Sequence, residues 1–323
     1  MTDLQSRRAL LRKGTLAAAG AWLASRTAIA ATGATVNTKP AAVSGSLTLG
    51  KDLRVNRFGF GAMRITGEGI WGEPRDTREA RAVLRRAVEL GVNFIDTADS
   101  YGPHVSERLI AEALHPYPPG LVIATKGGMV RAGPNKWDRD TRPEHLRAAC
   151  EGSLKRLKLD RIDVYQLHAV DPKIPLQDSI GELARLQAEG KIRHIGVSNV
   201  DLAQLKQAQA LVSVVSVQNR YNVADRASDD VLAYCAAQGI AFIPWSPLAQ
   251  RAQTNGAANS SLAALQAVAK ARGMPMSQAT LAWLLARSPA MLPIPGTSRV
   301  KHLEENVAAA ALRLTAAELQ QIG

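Results

Sequence analysis

The 323-residue sequence predicts an α/β protein, a (β/α)8 TIM barrel with an N-terminal β-hairpin across the bottom of the barrel. Strand-like and helix-like segments alternate with a period of roughly 30 residues, which is the length of one βα unit. The alternative is a doubly wound open sheet, which would need the pattern G-x-G-x-x-G after its first strand. The segment at that place, Gly59-Phe-Gly-Ala-Met-Arg, has the first two glycines and lacks the third. The barrel is therefore the expected fold.

Residues 1–30 are typical of a twin-arginine-type signal peptide. A basic segment with Arg7 and Arg8 precedes a short apolar run, and Ala28-Ile-Ala fits a small-residue cleavage site. The apolar run is too short to span a bilayer, so we expect no permanent membrane anchor. We expect the twin-arginine export machinery to carry the protein, folded in the cytoplasm, to the periplasm; an uncleaved amphipathic N-terminus is the alternative. Residues 31–46 predict a flexible linker, which leaves residues 47–323 for the barrel.

The predicted elements follow one another from residue 47. Leu47-Thr-Leu-Gly-Lys-Asp-Leu-Arg predicts the hairpin, with its turn at Gly50-Lys51. Eight strand candidates begin near Phe58, Phe94, Leu121, Ile162, His194, Val214, Ala241 and Leu292. Helices are predicted at 77–90, 143–157, 176–189 and 227–238, bounded by Asp76, by Thr141-Arg-Pro-Glu, and by Gly91, Gly190 and Gly239. A short capped helix is expected after Thr315.

Charge and cysteine content narrow the functional classes. The formal net charge is +12, of which residues 1–30 carry +4, and the other basic residues are scattered along predicted helices. Scattered charge is typical of solvated helix faces, so we expect no nucleic-acid partner; a basic nucleic-acid surface is the alternative. Cys150 and Cys235 lie in predicted helices without metal-ligand spacing. We expect two buried thiols rather than a disulfide, and no metal site.

Four polar residues follow successive strand candidates. Asp96 and Tyr101 lie in Phe94-Ile-Asp-Thr-Ala-Asp-Ser-Tyr-Gly, Lys126 ends Val122-Ile-Ala-Thr-Lys, and His168 ends Asp163-Val-Tyr-Gln-Leu-His. Barrel strands are buried on both faces, and polar residues at their exits converge on the mouth where active sites form. A neighbouring ammonium lowers the pKa of a phenol, and a carboxylate holds the ammonium in place. The set predicts protonation of a carbonyl oxygen as hydride reaches its carbon, with the imidazole as a second donor.

Several motifs resemble those of the aldo-keto reductase family, from about Leu47 onwards. The matching segments are Gly59-Phe-Gly-Ala-Met, Asp96-Thr-Ala-Asp-Ser-Tyr-Gly, Thr125-Lys-Gly-Gly, Asp163-Val-Tyr-Gln-Leu-His, Gly190-Lys-Ile-Arg-His-Ile-Gly-Val-Ser-Asn and Pro293-Ile-Pro-Gly-Thr-Ser-Arg. The resemblance implies that Tyr101 is the general acid, assisted by Lys126, Asp96 and His168. It also implies a small-molecule carbonyl substrate, an aldehyde or ketone reduced to an alcohol, or the reverse reaction.

The resemblance further implies NADPH/NADP+ as the cofactor. Amide and hydroxyl groups at strand ends would hold the nicotinamide, and Trp245 would stack on its ring. The beginning of the helix after the eighth strand favours phosphate. Arg299 there would supply a forked donor to a 2′-phosphate, which favours NADPH over NADH. The implied cofactor residues are Ser198, Asn199, Gln218, Trp245, Gly296, Ser298, Arg299, Glu305 and Asn306.

Two loops resemble a bacterial branch of the family that includes pyridoxal reductases. They are Gly67-Glu-Gly-Ile-Trp-Gly-Glu-Pro-Arg-Asp and Tyr101-Gly-Pro-His-Val, and they would place Trp71 and His104 beside the substrate pocket. Two functions stay open: an NADP-dependent reductase, and a slow-turnover NADPH-binding redox-sensing subunit resembling the β subunits of potassium channels. The complete set of four polar residues favours the reductase.

Overall fold

The computed structural model describes residues 39–248 and 256–323. The predicted signal peptide, residues 1–30, lies outside this part of the chain, as do residues 31–38 of the predicted linker. Among the described residues, none of the helices has the length and hydropathy that a membrane crossing requires.

The folded region begins upstream of the predicted boundary at residue 47. Pro40–Ser44, which belong to the predicted linker, form a 3-10 helix. Ala41 within it is fully buried, and its N–H donates to the carbonyl of Leu90 over 2.9 Å. Small apolar residues such as Ala and Pro are common in linkers, but they also fit a narrow crevice, and composition alone does not separate the two.

The strands and helices follow the predicted alternation. The strands are β1 (Ser46–Leu49), β2 (Leu53–Asn56), β3 (Phe60–Gly61), β4 (Phe94–Asp96), β5 (Val122–Gly127), β6 (Met129–Gly133), β7 (Lys136–Arg139), β8 (Ile162–Leu167), β9 (Ile192–Ser198), β10 (Val214–Arg220) and β11 (Ala241–Trp245). The helices are α1 (Thr77–Glu89), α2 (Val105–Leu114), α3 (Pro143–Leu157), α4 (Leu176–Ala188), α5 (Leu202–Gln209), α6 (Asp229–Gln238), α7 (Gly256–Ala271), α8 (Met276–Arg287), α9 (Val300–Ala308) and α10 (Ala316–Ile322). Strands β3, β4, β5, β8, β9, β10 and β11 pair in that order in one parallel sheet, as the barrel prediction requires.

An eighth segment closes the sheet where the sequence predicts the eighth strand. The N–H of Leu292 donates to the carbonyl of Phe242 in β11 over 2.8 Å. On the other side, the N–H of Gly59, just before β3, donates to the carbonyl of Pro293 over 2.9 Å. The segment makes an isolated bridge rather than a regular strand, because Pro293 and Pro295 have no N–H to continue the ladder.

The hairpin of β1 and β2 covers the amino-terminal ends of the barrel strands, as predicted. Its apolar side chains join a buried cluster with Phe94 and Val122, the first residues of β4 and β5. At the turn, the Asp52 carboxylate lies 2.6 Å from both the Arg193 guanidinium and the His194 imidazole, at the beginning of β9. The hairpin therefore covers the end of the barrel opposite to the predicted site. The hairpin residues in the buried cluster are Leu47, Leu49, Leu53 and Val55.

Capping residues lie at the helix ends where the sequence predicts them. The Asp76 carboxylate accepts hydrogen bonds from the N–H groups of Arg78 and Glu79 at the beginning of α1. Gly239 ends α6 in the left-handed conformation, with φ +68°. Thr315 forms a reciprocal capping box with Glu318 at the beginning of α10.

Both cysteines are buried and free, as predicted. Cys150 lies in α3 and Cys235 lies in α6. Burial raises the pKa of each thiol to about 12. Neither side chain is therefore a reactive thiolate at neutral pH.

Candidate active site

The four predicted polar residues meet at the carboxyl-terminal end of the barrel strands. Asp96 is the last residue of β4, His168 directly follows β8, and Tyr101 lies in the turn before α2. Lys126 Nζ lies 2.8 Å from Asp96 Oδ2 and 3.4 Å from the Tyr101 hydroxyl oxygen. The rings of Tyr101 and His168 meet edge to face, with centroids 5.8 Å apart. The predicted residues thus form one contiguous cluster.

The Asp96 carboxylate accepts hydrogen bonds from three side chains. Oδ2 accepts from Lys126, and Oδ1 accepts from Gln218 over 2.7 Å and from Gln166 over 3.2 Å. Lys126 is fully buried, so its charge requires a paired carboxylate in this position. Gln166 is absent from the sequence prediction. Its polar side chain within the buried strand β8 is the signal that identifies it.

The pKa values of Lys126 and Tyr101 both lie above their ordinary values. Burial opposes the charge of Lys126, but Asp96 and Tyr101 more than offset it and raise the pKa of the ammonium group. Burial raises the pKa of Tyr101, and the charge of Lys126 offsets only part of that increase. This corrects the sequence prediction of a lowered phenol pKa, because the motif reveals the lysine but not the loss of water. Tyr101 holds its proton at neutral pH and is therefore a donor.

The imidazole of His168 is neutral at neutral pH. Burial and then the positive charge of Lys126 lower its pKa well below 6.5. Its Nδ1 lies 3.4 Å from the hydroxyl oxygen of Ser100. A neutral imidazole donates one hydrogen bond and carries no charge. His168 can therefore orient a carbonyl group without competing with Tyr101 as the acid.

A cavity of about 610 Å³ opens above this cluster. Asp96, Tyr101 and His168 lie in its wall. Cavities of roughly 300–1,000 Å³ are typical of small-molecule sites. The cluster is therefore placed to act on a bound organic molecule.

The predicted cofactor residues divide between this cavity and α9. Ser198, Asn199, Gln218, Trp245 and Gly296 line the cavity. Ser298, Arg299, Glu305 and Asn306 are not in its wall and lie at α9 or immediately before it. The two predicted substrate residues, Trp71 and His104, are also not in the cavity wall.

Ser198 at the end of β9, Asn199 after it, Gln218 in β10 and Trp245 in β11 form a connected group beside His168. Asn199 has a left-handed backbone, with φ +57°, and its Nδ2 donates to the carbonyl of His168 over 3.0 Å. Its Oδ1 accepts from Nε1 of Trp245 over 3.0 Å. The Ser198 hydroxyl donates to the carbonyl of Gln218 over 2.7 Å. These bonds fix the Asn199 amide and the Trp245 indole in orientation, and the Gln218 side-chain amide is held separately by Asp96.

A carboxylate already occupies part of the helix end at which the sequence predicts phosphate. The N–H of Val300, the first residue of α9, donates to Glu79 Oε1 over 3.0 Å. Free N–H groups are what make a helix N-terminus an anion site. The side chains of Ser298 and Arg299 are exposed beside it. If a phosphate binds here, as the sequence predicts, the Arg299 guanidinium is a better donor for it than the helix end itself.

A second hairpin, β6 and β7, forms one wall of the cavity and is absent from the sequence prediction. Met129, Trp137 and Arg139 from this hairpin line the cavity. The Trp137 ring lies edge to face with Tyr101 and with His168, at centroid distances of 6.3 and 6.4 Å. The turn Gly133-Pro-Asn-Lys is a sequence signal that could have revealed the hairpin.

Asp99 is a buried carboxyl group close to the cluster. Its side chain is 5% exposed, and its Oδ1 has no hydrogen-bond partner within the described residues. Burial, and then the charge of Glu107, raise its pKa to about 8. Asp99 is therefore largely protonated at neutral pH.

Replacing Asp99 by Asn should remove a pH dependence of stability. Because the folded-state pKa is raised, the contribution of this group is fully present below the unfolded value of 3.8 and is lost as pH rises through about 8. Between these two pH values the native state binds up to one more proton than the unfolded state. The free energy of unfolding therefore falls by at most about 1.4 kcal/mol for each unit by which the pH rises. Urea unfolding at several pH values measures this slope. Equal slopes for the native protein and Asp99→Asn would contradict the assignment.

The chain is similar in sequence and in structure to known oxidoreductases. Residues 57–323 match the Aldo/keto reductase family. The chain is 52% identical over 275 residues to an uncharacterised oxidoreductase of Schizosaccharomyces pombe, covering 85% of this chain and 88% of that protein. It is 43% identical over 278 residues to pyridoxine 4-dehydrogenase of Escherichia coli, covering 84% of this chain and 95% of that protein. An aldo/keto reductase from Klebsiella pneumoniae, solved in complex with NADP and acetate, matches with a TM-score of 0.70 at 29% identity, covering 86% of this chain and 93% of that one.

Proposed function

The chain belongs to the aldo/keto reductase family, and from this we propose that it is an NADP-dependent oxidoreductase that interconverts a carbonyl compound and its alcohol. The observation that carries the proposal is the contact of Lys126 with both Asp96 and the Tyr101 hydroxyl at the wall of the cavity. A protonated phenol beside a buried ammonium is suited to giving a proton to a carbonyl oxygen.

The side chains of the cluster have distinct roles in the proposed reduction. NADPH, when bound, supplies the hydride that reaches the carbonyl carbon. Tyr101 gives its proton to the carbonyl oxygen, and the charge of Lys126 stabilises the phenolate that forms. Asp96 keeps Lys126 charged and in place. His168, with Nδ1 beside Ser100, uses Nε2 to orient the same oxygen. In the oxidation direction the same groups take up the proton from the alcohol.

The donor groups of the cavity fit a nicotinamide nucleotide. The indole of Trp245, held by Asn199, presents a flat surface in the same cavity that Ser198 and Gln218 line. At α9, Arg299 offers a forked donor to a phosphate. The similar protein from Klebsiella pneumoniae is in complex with NADP, which supports this choice. Gly296, Ser298, Glu305 and Asn306 complete the proposed cofactor residues.

An aromatic aldehyde is the substrate class that we propose. The similar protein of Escherichia coli is a pyridoxine 4-dehydrogenase, whose name describes oxidation of a ring-attached alcohol. Trp137 presents an aromatic side chain to the cavity, which suits a planar ring. Pyridoxal with NADPH, and pyridoxine with NADP+, are therefore the first pair to assay.

The proposed function is tested by NADPH consumption with a panel of aldehydes that includes pyridoxal. Sustained turnover of about one per second or faster is typical of enzymes. The alternative, a slow-turnover NADPH-binding redox-sensing subunit, gives stoichiometric oxidation of bound NADPH that then stops. Absence of both NADPH binding and aldehyde reduction would overturn the proposed function.

We also propose that residues 1–30 direct export through the twin-arginine machinery to the periplasm, after folding in the cytoplasm. The support is the sequence pattern of Arg7 and Arg8 before a short apolar run and a small-residue site at Ala28-Ile-Ala. Changing both arginines to Lys should leave the uncleaved precursor inside the cell. The native protein should begin near Ala31 when its N-terminus is sequenced from the periplasmic fraction. Recovery of uncleaved protein in the cytoplasm alone would contradict export and would leave the reductase proposal untouched.

A further inference from the structure

The side chain of Arg131 uses all its hydrogen-bond donors on backbone carbonyl groups. A guanidinium has five N–H donors. Nε donates to Lys136 O at 2.8 Å, Nη1 to Ile70 O at 2.8 Å and Ser100 O at 3.1 Å, and Nη2 to Gly69 O at 2.9 Å and Gly133 O at 3.3 Å. No donor is left for an anionic ligand. Arg131 therefore connects three segments: its own hairpin, the turn at Glu68–Ile70, and the residue before Tyr101.

The backbone pairing of the hairpin does not by itself fix the position of Trp137. Regular pairs join Met129 with Arg139 and Val130 with Asp138, and the register then shifts before Gly133 pairs with Lys136. Trp137 lies opposite this irregular stretch. The bond from Arg131 Nε to the carbonyl of Lys136 holds the residue immediately before it.

Arg131 also supports the indole of Trp137 directly. The guanidinium carbon lies 3.7 Å from the centroid of the Trp137 ring, which is a close cation–π contact. The same guanidinium carbon lies 5.8 Å from the centroid of the Trp71 ring. Trp71, which the sequence predicts in the substrate pocket, is not in the cavity wall and approaches the hairpin through Arg131.

Close packing between the two loops limits how the hairpin can move. Gly69 has a left-handed backbone, with φ +66°, and a Cβ added there would lie 2.8 Å from Pro134 Cβ. The N–H of Asn135 at the hairpin turn donates to the Gly69 carbonyl over 3.0 Å. The hairpin and the Glu68–Ile70 turn are thus joined through both the backbone and Arg131.

We propose that Arg131 is a positioning residue that holds Trp137 as the surface against which a planar aromatic aldehyde lies when its carbonyl oxygen reaches Tyr101. Trp137 is 36% exposed, lines the cavity and approaches Tyr101 and His168 with its ring. A small aliphatic aldehyde can reach Tyr101 without covering the indole. This inference rests on the proposed reductase function.

The test compares benzaldehyde with propanal in the Arg131→Met and Trp137→Ala variants. An aromatic pair contributes enough to change affinity by about 3- to 10-fold. In Arg131→Met we expect KM for benzaldehyde to rise by about that factor with kcat nearly constant, and the change for propanal to be at most about 2-fold. Trp137→Ala should give the same loss for benzaldehyde. The double variant should lose little more than either single variant, because both changes remove one contact.

The control is Arg142→Met. Arg142 forms ion pairs with Asp140 and Glu144 and is not in the cavity wall, so this change should affect neither aldehyde. Equal losses for benzaldehyde and propanal in Arg131→Met, or a fully additive double variant, would overturn the positioning role while the reductase function stands. A native protein that reduces neither of these two aldehydes would overturn this inference, whereas the proposed function is decided by NADPH binding and by the wider panel that includes pyridoxal.

Discussion

Replacing Tyr101 by Phe should lower kcat at least about 10²-fold, the low end of the range for general acid catalysis. The change removes the hydroxyl and keeps the ring, so the edge contacts with Trp137 and His168 persist. Lys126 keeps its bonds to Asp96 Oδ2 and to the carbonyl of Thr97, and its buried charge stays paired. The loss should therefore appear in the chemical step and leave NADPH affinity and thermal stability nearly unchanged.

Tyr165→Phe is the matched control for this prediction. Tyr165 is fully buried, its hydroxyl donates to the carbonyl of Leu146 over 3.4 Å, and it is not in the cavity wall. Steady-state kinetics with one aldehyde and NADPH compare both variants with the native protein. Native-like kcat in Tyr101→Phe, or an equal loss in Tyr165→Phe, would remove Tyr101 from its assigned role.

The cluster of Asp96, Tyr101, Lys126 and His168 could be predicted from the sequence because its polar residues follow buried strands. Parallel strands in a barrel bury both faces, so Asp96, Lys126 and His168 at strand ends contrast with the apolar residues before them. Their convergence follows from the topology alone. The alternation of strand-like and helix-like segments identifies the barrel, and turn and capping residues identify the hairpin at its bottom and the boundaries of the predicted helices.

The remaining features depend on contacts that no local pattern encodes. Trp137 lines the cavity, and Arg131, which packs on its ring, bonds to Gly69 in a loop more than 60 residues earlier in the chain. The raised pKa of Tyr101 depends on the loss of water around it, which a motif does not display. Glu79 reaches the beginning of α9 from a helix more than 200 residues away in sequence. A contact of the same kind, from the Ala41 N–H to the carbonyl of Leu90, orders Pro40–Ser44, for which composition alone predicts a linker.

Replacing Arg299 by Ala should weaken NADPH binding by roughly 10- to 100-fold and change NADH binding much less. One charge-assisted hydrogen bond contributes about 1.5–3 kcal/mol, which corresponds to that range. The helix end beside Arg299 is poorly suited to a phosphate, because the first N–H of α9 already donates to the Glu79 carboxylate. The Asp76 carboxylate is also close. The hydrogen bond from the Glu79 N–H lowers the pKa of Asp76 most, and the charge of Arg299 lowers it by a smaller amount. The 2′-phosphate, which NADH lacks, should therefore depend on the guanidinium.

The Lys301→Ala variant distinguishes specific recognition of the 2′-phosphate from general electrostatic attraction of the nucleotide. Lys301 is exposed in the first turn of α9 and has no hydrogen bond or ion pair through its side chain within the described residues, so its loss removes one positive charge but no forked donor. If Arg299 recognises the 2′-phosphate, Arg299→Ala lowers NADPH affinity far more than Lys301→Ala does. Calorimetry measures the two dissociation constants. Raising the salt concentration should weaken the Lys301 contribution first, since exposed charges are screened over about 10 Å at 0.1 M. Similar losses of NADPH and NADH affinity in Arg299→Ala would mean that Arg299 supports the fold of the α9 end, and that the choice between the two nucleotides is made elsewhere.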